Sequence, residues 1–146
     1  MRMTVPLVVV VSVVAAAGGE DDTKKEMAQL GGEWSMVSGE ANGMALPAET
    51  VKSGKRVAKD GVTTITFGGQ VYFEAKFSID TAKKPKAIDY TMTEGPTKGK
   101  THLGIYELNG DTIKFCFAAP GGERPTDLTA KEGSQRTLSA WTRDKK

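Results

Sequence analysis

The chain has 146 residues, which is enough for one domain, and its 20 lysines and arginines nearly balance its 18 aspartates and glutamates. A formal net charge of only +2 argues against a general nucleic-acid binder, which needs a concentrated basic face. A single cysteine excludes an intramolecular disulfide, and a single histidine excludes the common multi-histidine metal centres. We therefore expect no metal ion, no cofactor and no nucleic-acid partner.

Residues 1–17 have the three parts of a secretory signal peptide. Arg2 supplies the positive charge, Val5–Val14 is almost entirely apolar, and Ala15–Ala17 provides the small residues of a cleavage site. The apolar run is too short to cross a bilayer as a helix, which takes roughly 20 apolar residues. We expect export to the periplasm or the cell exterior, with no membrane span after cleavage; the alternative is an uncleaved N-terminal anchor.

The remainder divides into a lead-in and one domain. Residues 18–29 are charged and lack periodicity, so we expect them to be flexible or weakly helical, with a single domain over residues 30–146. In that domain, strict alternation of apolar residues over Val71–Ile79 is typical of a strand with one buried face. Further strand candidates, giving about eight in all, are Glu33–Ser38, Ser53–Lys59, Val62–Phe67, Ile88–Thr93, His102–Leu108, Thr112–Phe117 and Arg136–Arg143.

The connections favour antiparallel neighbours in sequence order. Asp60-Gly61, Gly68-Gly69 and Asn109-Gly110 are short turn signals between adjacent strand candidates. The one helical segment expected is Leu46–Lys52, with Pro47 at its first position. The fold class predicted is therefore all-β, a small antiparallel up-and-down barrel, because closure removes exposed strand edges.

The register of the hairpin at Asn109-Gly110 is ambiguous. A two-residue turn places Tyr106 on the same face as Ile113, whereas a three-residue turn places Ile105 on that face. We prefer the three-residue turn, because it gathers more apolar area on one face. A register shift of one residue would move every side chain of that strand to the opposite face of the sheet.

The start of the first strand resembles a known barrel signature. Gly32-Glu33-Trp34 is similar to the Gly-x-Trp motif of lipocalin-like barrels. The resemblance implies that Trp34 plugs the closed end of the barrel and that a basic residue from the last strand, Arg143 or Arg136, lies across its ring. A guanidinium over an indole contributes about 0.5–2 kcal/mol.

A wider resemblance covers nearly the whole domain, from Leu30 to Arg143. The chain resembles an exported domain family that is abundant in planctomycete bacteria and has no assigned activity. The segments that carry the resemblance are Leu30–Trp34, Lys83–Asp89, Thr93–Gly95, Lys98–Thr101, Gly104–Thr112, Phe115–Ala118 and Arg124–Thr126. The resemblance implies a barrel fold and carries over no catalytic residue.

Three groups of residues bear on chemistry. His102 and Cys116 are the only candidates for a base and a nucleophile, but no third group orients the base, so we expect a non-enzyme. The carboxylates Asp80, Asp89 and Glu94 have no facing arrangement. A third group of basic residues is expected either to gather at one end of the barrel or simply to solvate loop tips: Lys83, Lys84, Lys86, Lys98 and Lys100.

Two binding hypotheses remain. The first is a non-enzymatic binding domain holding a small apolar ligand, with pocket-lining candidates Phe73, Phe77, Tyr90, Met92, Ile105 and Phe115. The second is a protein-interaction module of the cell envelope with a solid barrel, contacting its partner through Glu123, Arg124 and Pro125 in the long loop Ala119–Gly133. The sequence does not indicate an oligomeric state.

Overall fold

The computed structural model describes residues 22–145, so the predicted signal peptide and residues 18–21 of the lead-in lie outside the described part. The described chain is all-β, which confirms the predicted fold class. Its strands are β1 (Gly32–Ala41), β2 (Met44–Ala45), β3 (Gly54–Lys59), β4 (Val62–Phe67), β5 (Gln70–Asp80), β6 (Lys86–Glu94), β7 (Thr101–Asn109), β8 (Thr112–Phe117) and β9 (Thr137–Arg143). Its helices are α1 (residues 22–30) and α2 (Ala48–Ser53).

Eight of these strands close into an antiparallel barrel. From β3 to β9 each strand pairs with its neighbour in sequence, and β9 returns to β1 along a ladder from Trp34↔Arg143 to Ala41↔Thr137. β2 pairs only with the end of β1. β1 and β3 pair only from Gly32 to Ser35, and α2 packs against β1 beyond that point. This gap therefore lies at one end of the barrel, which we name the open end; the end that holds Trp34 is the closed end.

Two tight turns follow the prediction closely. Asp60 and Gly61 have φ values of 52° and 79°, and Gly68 and Gly69 have values of 60° and 83°. Positive φ at both central residues is the type I′ geometry, whose twist matches that of the flanking strands. These turns join β3 to β4 and β4 to β5 as direct antiparallel neighbours.

The preferred register of the β7–β8 hairpin is wrong. Leu108 pairs with Ile113 and Tyr106 with Phe115, so the turn contains only Gly110 and Asp111. Tyr106 consequently shares the inner face with Phe115, and Ile105 lies on the outer face opposite Cys116. The apolar area gathered on one face was a poor guide to the register. Ile105 is also buried, at 1% exposure, although it lies on the outside of the barrel.

The long loop between β8 and β9 covers that outer face. Pro125 is fully buried, Ala130 is 2% exposed, and the Cys116 thiol donates to the Thr129 carbonyl at 3.3 Å. The Asn42 side chain, in the β1–β2 turn, accepts from two backbone N–H groups at the end of the loop. The loop is thus fixed at both the outer face and the open end.

The described part of the lead-in is the helix α1, which lies across the closed end. Leu30 at its end is fully buried, and Glu26 accepts a hydrogen bond from the Tyr106 hydroxyl. Lys86 pairs with the same carboxylate at 2.8 Å. Burial, followed by the hydrogen bond that the Tyr106 hydroxyl donates to Glu26, raises the pKa of Tyr106 well above its ordinary value, so the phenol stays neutral.

The helix predicted at Leu46–Lys52 forms as α2, with one difference at its start. Pro47 has a φ of −56° and a ψ of 145°, so it precedes the helix as its cap residue. A fixed φ near −65° suits either position, but only the following residues have helical ψ values.

Of the two arrangements expected for the lysines, gathering at one end of the barrel is the one that does not form. Lys83 and Lys84 precede β6 and Lys98 and Lys100 follow it, so the nine-residue strand separates the two groups. At about 3.3 Å per residue that separation is roughly 26 Å, several screening lengths in physiological salt. The two groups do not act as one site.

Candidate ligand-binding site

Trp34 and Arg143 form the base of the barrel. Trp34 is fully buried on β1, and the Arg143 guanidinium lies 4.3 Å from the centroid of its indole ring. Arg143 also donates to the carbonyls of Gln29 and Gly31 at the end of α1, at 2.8 and 3.0 Å. Of the two arginines considered for this position, Arg136 lies elsewhere and pairs with Asp127 at 3.3 Å. The closed end is therefore joined to α1 by a cation.

Aromatic rings occupy the middle of the barrel. Tyr90 on β6 is the central ring, with its centroid 4.2 Å from Phe117 and 6.0–6.2 Å from Phe73, Phe77 and Phe115. Ring pairs at these distances stabilise a core beyond the area they bury. The interior around these rings is thus filled by side chains that contact one another.

Above these rings, toward the open end, the barrel contains a cavity of about 450 Å³. Its walls are mostly apolar and come from β1, β3–β6, β8, β9 and α2. The residues that bound it are Met36, Gly39, Glu40, Ala41, Leu46, Thr50, Arg56, Ile65, Phe67, Tyr72, Phe73, Tyr90, Phe115, Phe117, Thr137, Leu138, Ser139 and Trp141. Small-molecule sites in proteins have volumes of about 300–1,000 Å³ and similar walls.

A second cavity of about 290 Å³ adjoins the first. The two share Tyr72, Phe73, Tyr90, Phe117 and Thr137 as common walls. The second extends toward the β6–β7 loop at Pro96. The open half of the barrel is therefore hollow over a wider region than the main cavity alone.

The six predicted pocket residues occupy four different places. Phe73, Tyr90 and Phe115 line the main cavity, and Met92 lines the adjoining one. Phe77 lies in the filled part of the interior, where its ring contacts the Arg56 guanidinium at 5.8 Å. Ile105 lies outside the barrel under the long loop, as the corrected register requires.

The predicted partner loop turns two of its three candidate residues inward. Arg124 pairs with Asp89 at 2.7 Å and donates to the Gly104 carbonyl at 2.9 Å, while Pro125 is buried against the barrel. Glu123 is exposed. The long loop is better described as a cover for the outer apolar face than as a free contact surface.

His102 and Cys116 are not brought together. His102 lines the second cavity, with its ring nitrogens bonded to the Thr97 hydroxyl and the Ala118 carbonyl, both at 2.9 Å. Cys116 lies on the outer face of the neighbouring strand. Burial raises the pKa of the Cys116 thiol, which disfavours the reactive thiolate. His102 is therefore not placed to act as a base for the Cys116 sulfur.

Arg56 is the most unusual of the cavity residues that the sequence did not predict. It is fully buried on the inner face of β3, between Gly54 and Ala58. The alternation around it was a usable signal, because Lys55 and Lys59 occupy the opposite, exposed face of the strand. Since arginine is rarely fully buried unless paired, its position marks an unusual point in the interior.

Within residues 22–145, no helix has the length and hydropathy needed to cross a membrane. In the same part of the chain, no group of three His, Cys, Asp or Glu side chains is arranged to hold a metal ion.

Comparisons of the chain with protein-family models, with curated proteins and with solved structures find no match. The resemblance to the exported planctomycete family therefore stays a prediction.

Proposed function

We propose that this chain is an exported, non-enzymatic binding domain that takes a small, mainly apolar molecule into the open half of its barrel. The observation that carries the proposal is the cavity of about 450 Å³ between Phe67, Phe73 and Leu138. Protein interiors are normally packed so that few voids exceed a water molecule. Binding of an apolar ligand in an apolar space of this size is favourable, because it removes apolar surface from water.

The protein-interaction alternative has less support. It requires a solid barrel and an accessible loop, whereas the cavity occupies the open half and Arg124 and Pro125 face the barrel wall. Alanine substitution of the exposed Glu123 should accordingly leave the protein's associations unchanged in a pull-down from the producing cells. Loss of a captured partner would favour the alternative.

The proposal is tested by titrating the protein with the uncharged fluorescent probe N-phenyl-1-naphthylamine. Ala41→Trp fills the mouth of the cavity, and Val57→Trp adds the same side chain at a position that is 47% exposed on the outer face of β3. We expect saturable binding to the wild type and to Val57→Trp, and binding at least about tenfold weaker to Ala41→Trp. Equal binding to all three, or no saturable binding to the wild type, would contradict the proposal.

A further inference from the structure

The buried guanidinium of Arg56 is incompletely paired. Its Nη1 donates to the Leu30 carbonyl at 2.8 Å. Its Nε and Nη2 have no hydrogen-bond partner among residues 22–145. In the same part of the chain no carboxylate forms an ion pair with it. A full positive charge therefore lies in the interior with the three N–H groups of Nε and Nη2 unused.

The positive charge of Arg56 distinguishes it from the other unpaired polar groups of the interior. The indole N–H of Trp34 and the hydroxyl of Thr63 are also buried without a partner in the described chain, but both are neutral. Burying an ion without a counter-charge costs far more than burying a neutral donor. The Arg56 guanidinium is thus the group of the interior that most requires a ligand.

Aromatic rings account for only part of its surroundings. The guanidinium carbon lies 4.9 Å from the Phe115 ring centroid and 5.8 Å from that of Phe77. Ring faces attract a cation, but they do not accept the in-plane N–H groups along its edge. The edge formed by Nε and Nη2 has no acceptor among residues 22–145, and Arg56 belongs to the wall of the main cavity.

That edge has the geometry of a carboxylate receptor. Nε and Nη2 lie side by side on one edge of the planar group, and parallel N–H bonds from such a pair fit the two oxygens of a carboxylate. We propose that the ligand of the barrel is an amphipathic monocarboxylate whose head group binds Nε and Nη2 of Arg56, an inference that rests on the proposed function.

The position of Arg56 fixes the direction of the ligand. Arg56 pairs with Trp34 in the β1–β3 ladder, so it lies near the closed end of the cavity. Leu46, Thr50 and Phe67 bound the cavity at the open end. The carboxylate therefore enters first, and the apolar remainder extends between the aromatic walls toward the mouth.

The test compares two ligands that differ only in the head group, dodecanoate and dodecan-1-ol. Each is used to displace N-phenyl-1-naphthylamine from the wild type, from Arg56→Gln and from Lys59→Gln. The last variant is the matched control, because it removes the same charge from the exposed face of the same strand. We expect the wild type and Lys59→Gln to bind dodecanoate at least tenfold more tightly than dodecan-1-ol, and Arg56→Gln to lose that preference.

A thermal-shift measurement provides a second readout. Dodecanoate should raise the melting temperature of the wild type and of Lys59→Gln, and it should have little effect on Arg56→Gln. The ligand-free Arg56→Gln should be no less stable than the wild type, because the substitution removes a buried charge that lacks a counter-ion. The wild-type comparison of the two ligands holds even if the variant does not fold.

The outcomes separate the two proposals. If the neutral probe binds but dodecanoate has no advantage over the alcohol, or keeps its advantage in Arg56→Gln, the carboxylate inference is overturned and the apolar site stands. If the probe, the alcohol and the carboxylate all fail to bind, the apolar site is overturned as well.

Discussion

The two ends of the barrel are built from the same strands but are packed differently. At the closed end, Trp34 is fully buried, Arg143 covers its ring, and α1 is hydrogen-bonded across the base. At the open end, β1 and β3 separate, and the space between the aromatic walls is a cavity of about 450 Å³. The comparison suggests that the closed end supplies much of the stability, which allows the open end to keep a hollow interior.

Arg56 lies at the boundary between these regions. Its backbone belongs to the ladder with Trp34, and its side chain lines the cavity. An unpaired charge at that point is unfavourable for folding, so its cost must be offset by the packing around it. Such a local conflict is expected at a binding site rather than in a purely structural core.

The largest predicted contrast is between Trp34→Ala and Phe73→Ala. Trp34→Ala removes a fully buried ring from the packed end and should lower the free energy of unfolding by about 3–5 kcal/mol. Phe73→Ala removes a partly exposed ring that already borders a cavity and should cost about 1–2 kcal/mol. Urea denaturation measures both. Equal losses, or a loss below about 1 kcal/mol for Trp34→Ala, would contradict the role of the closed end.

A second prediction concerns Gly104 in the middle of β7. A Cβ at this position would lie 2.4 Å from a carbon of the Phe117 ring, so the ring now occupies the space of the missing side chain. Gly104→Ala should displace Phe117 and cost about 1–3 kcal/mol. Glu107→Ala, on the exposed face of the same strand, is the control and should change stability by less than about 0.5 kcal/mol.

Because Phe117 also forms part of the cavity wall, this substitution has a second readout. Gly104→Ala should weaken binding of the neutral probe, whereas Glu107→Ala should not. Unchanged stability and unchanged probe binding in Gly104→Ala would show that the ring is not held where the structure places it.

Arg143 at the end of β9 and Arg136 just before that strand lie at opposite ends of the barrel and should differ in their contributions to stability. Arg143→Ala removes a cation from the Trp34 ring and two hydrogen bonds to the end of α1, and should cost about 1–2 kcal/mol. Arg136→Ala removes a single ion pair with Asp127 at the open end, which should cost less than about 0.5 kcal/mol. The reverse order in thermal denaturation would contradict the assignment of Arg143 to the base of the barrel.

The smallest predicted effect is a pH dependence at the closed end. The pKa of Tyr106 is raised by burial and by Glu26, so the folded protein keeps the phenolic proton above pH 10, where an unfolded tyrosine loses it. Its contribution to stability is complete below pH 10 and decreases as the pH rises above that value, by at most about 1.4 kcal/mol per pH unit.

Tyr106→Phe should therefore have a free energy of unfolding that depends less steeply on pH between about 10 and 11 than that of the wild type. Lysines titrate in both proteins over this range, so the difference between the two slopes isolates Tyr106. Identical slopes would mean that the phenol ionises as easily in the folded protein as in the unfolded chain.

The sequence predicted the barrel because its strands alternate and its turns are short. Asp60-Gly61 and Gly68-Gly69 leave little choice of neighbour, and the alternation of Val71–Ile79 defines an inner face. The predicted β7–β8 register was wrong because both Ile105 and Tyr106 are buried. Ile105 lies under the long loop, and Tyr106 lies inside the barrel. Apolar patterning cannot choose between two buried faces.

The site itself was only partly predictable. The aromatic stripe indicated which strands face the interior, but the same residues serve a filled core and a cavity equally well. Phe77 is packed and Phe73 borders open space, a difference set by the separation of β1 from β3 rather than by either residue. The inward position of Arg56 was hard to predict because arginine is normally exposed. Lys55 and Lys59 did indicate it, because they occupy the exposed face of β3 and so place Arg56 on the inner face.

Native mass spectrometry can show whether the open half of the barrel holds a small molecule. The protein is purified from cells that make it and is measured beside the same sample denatured. We expect an additional mass in the native spectrum that disappears on denaturation and is absent from Ala41→Trp. A bare chain in every spectrum, unchanged after incubation with dodecanoate or dodecan-1-ol, would contradict the proposed function.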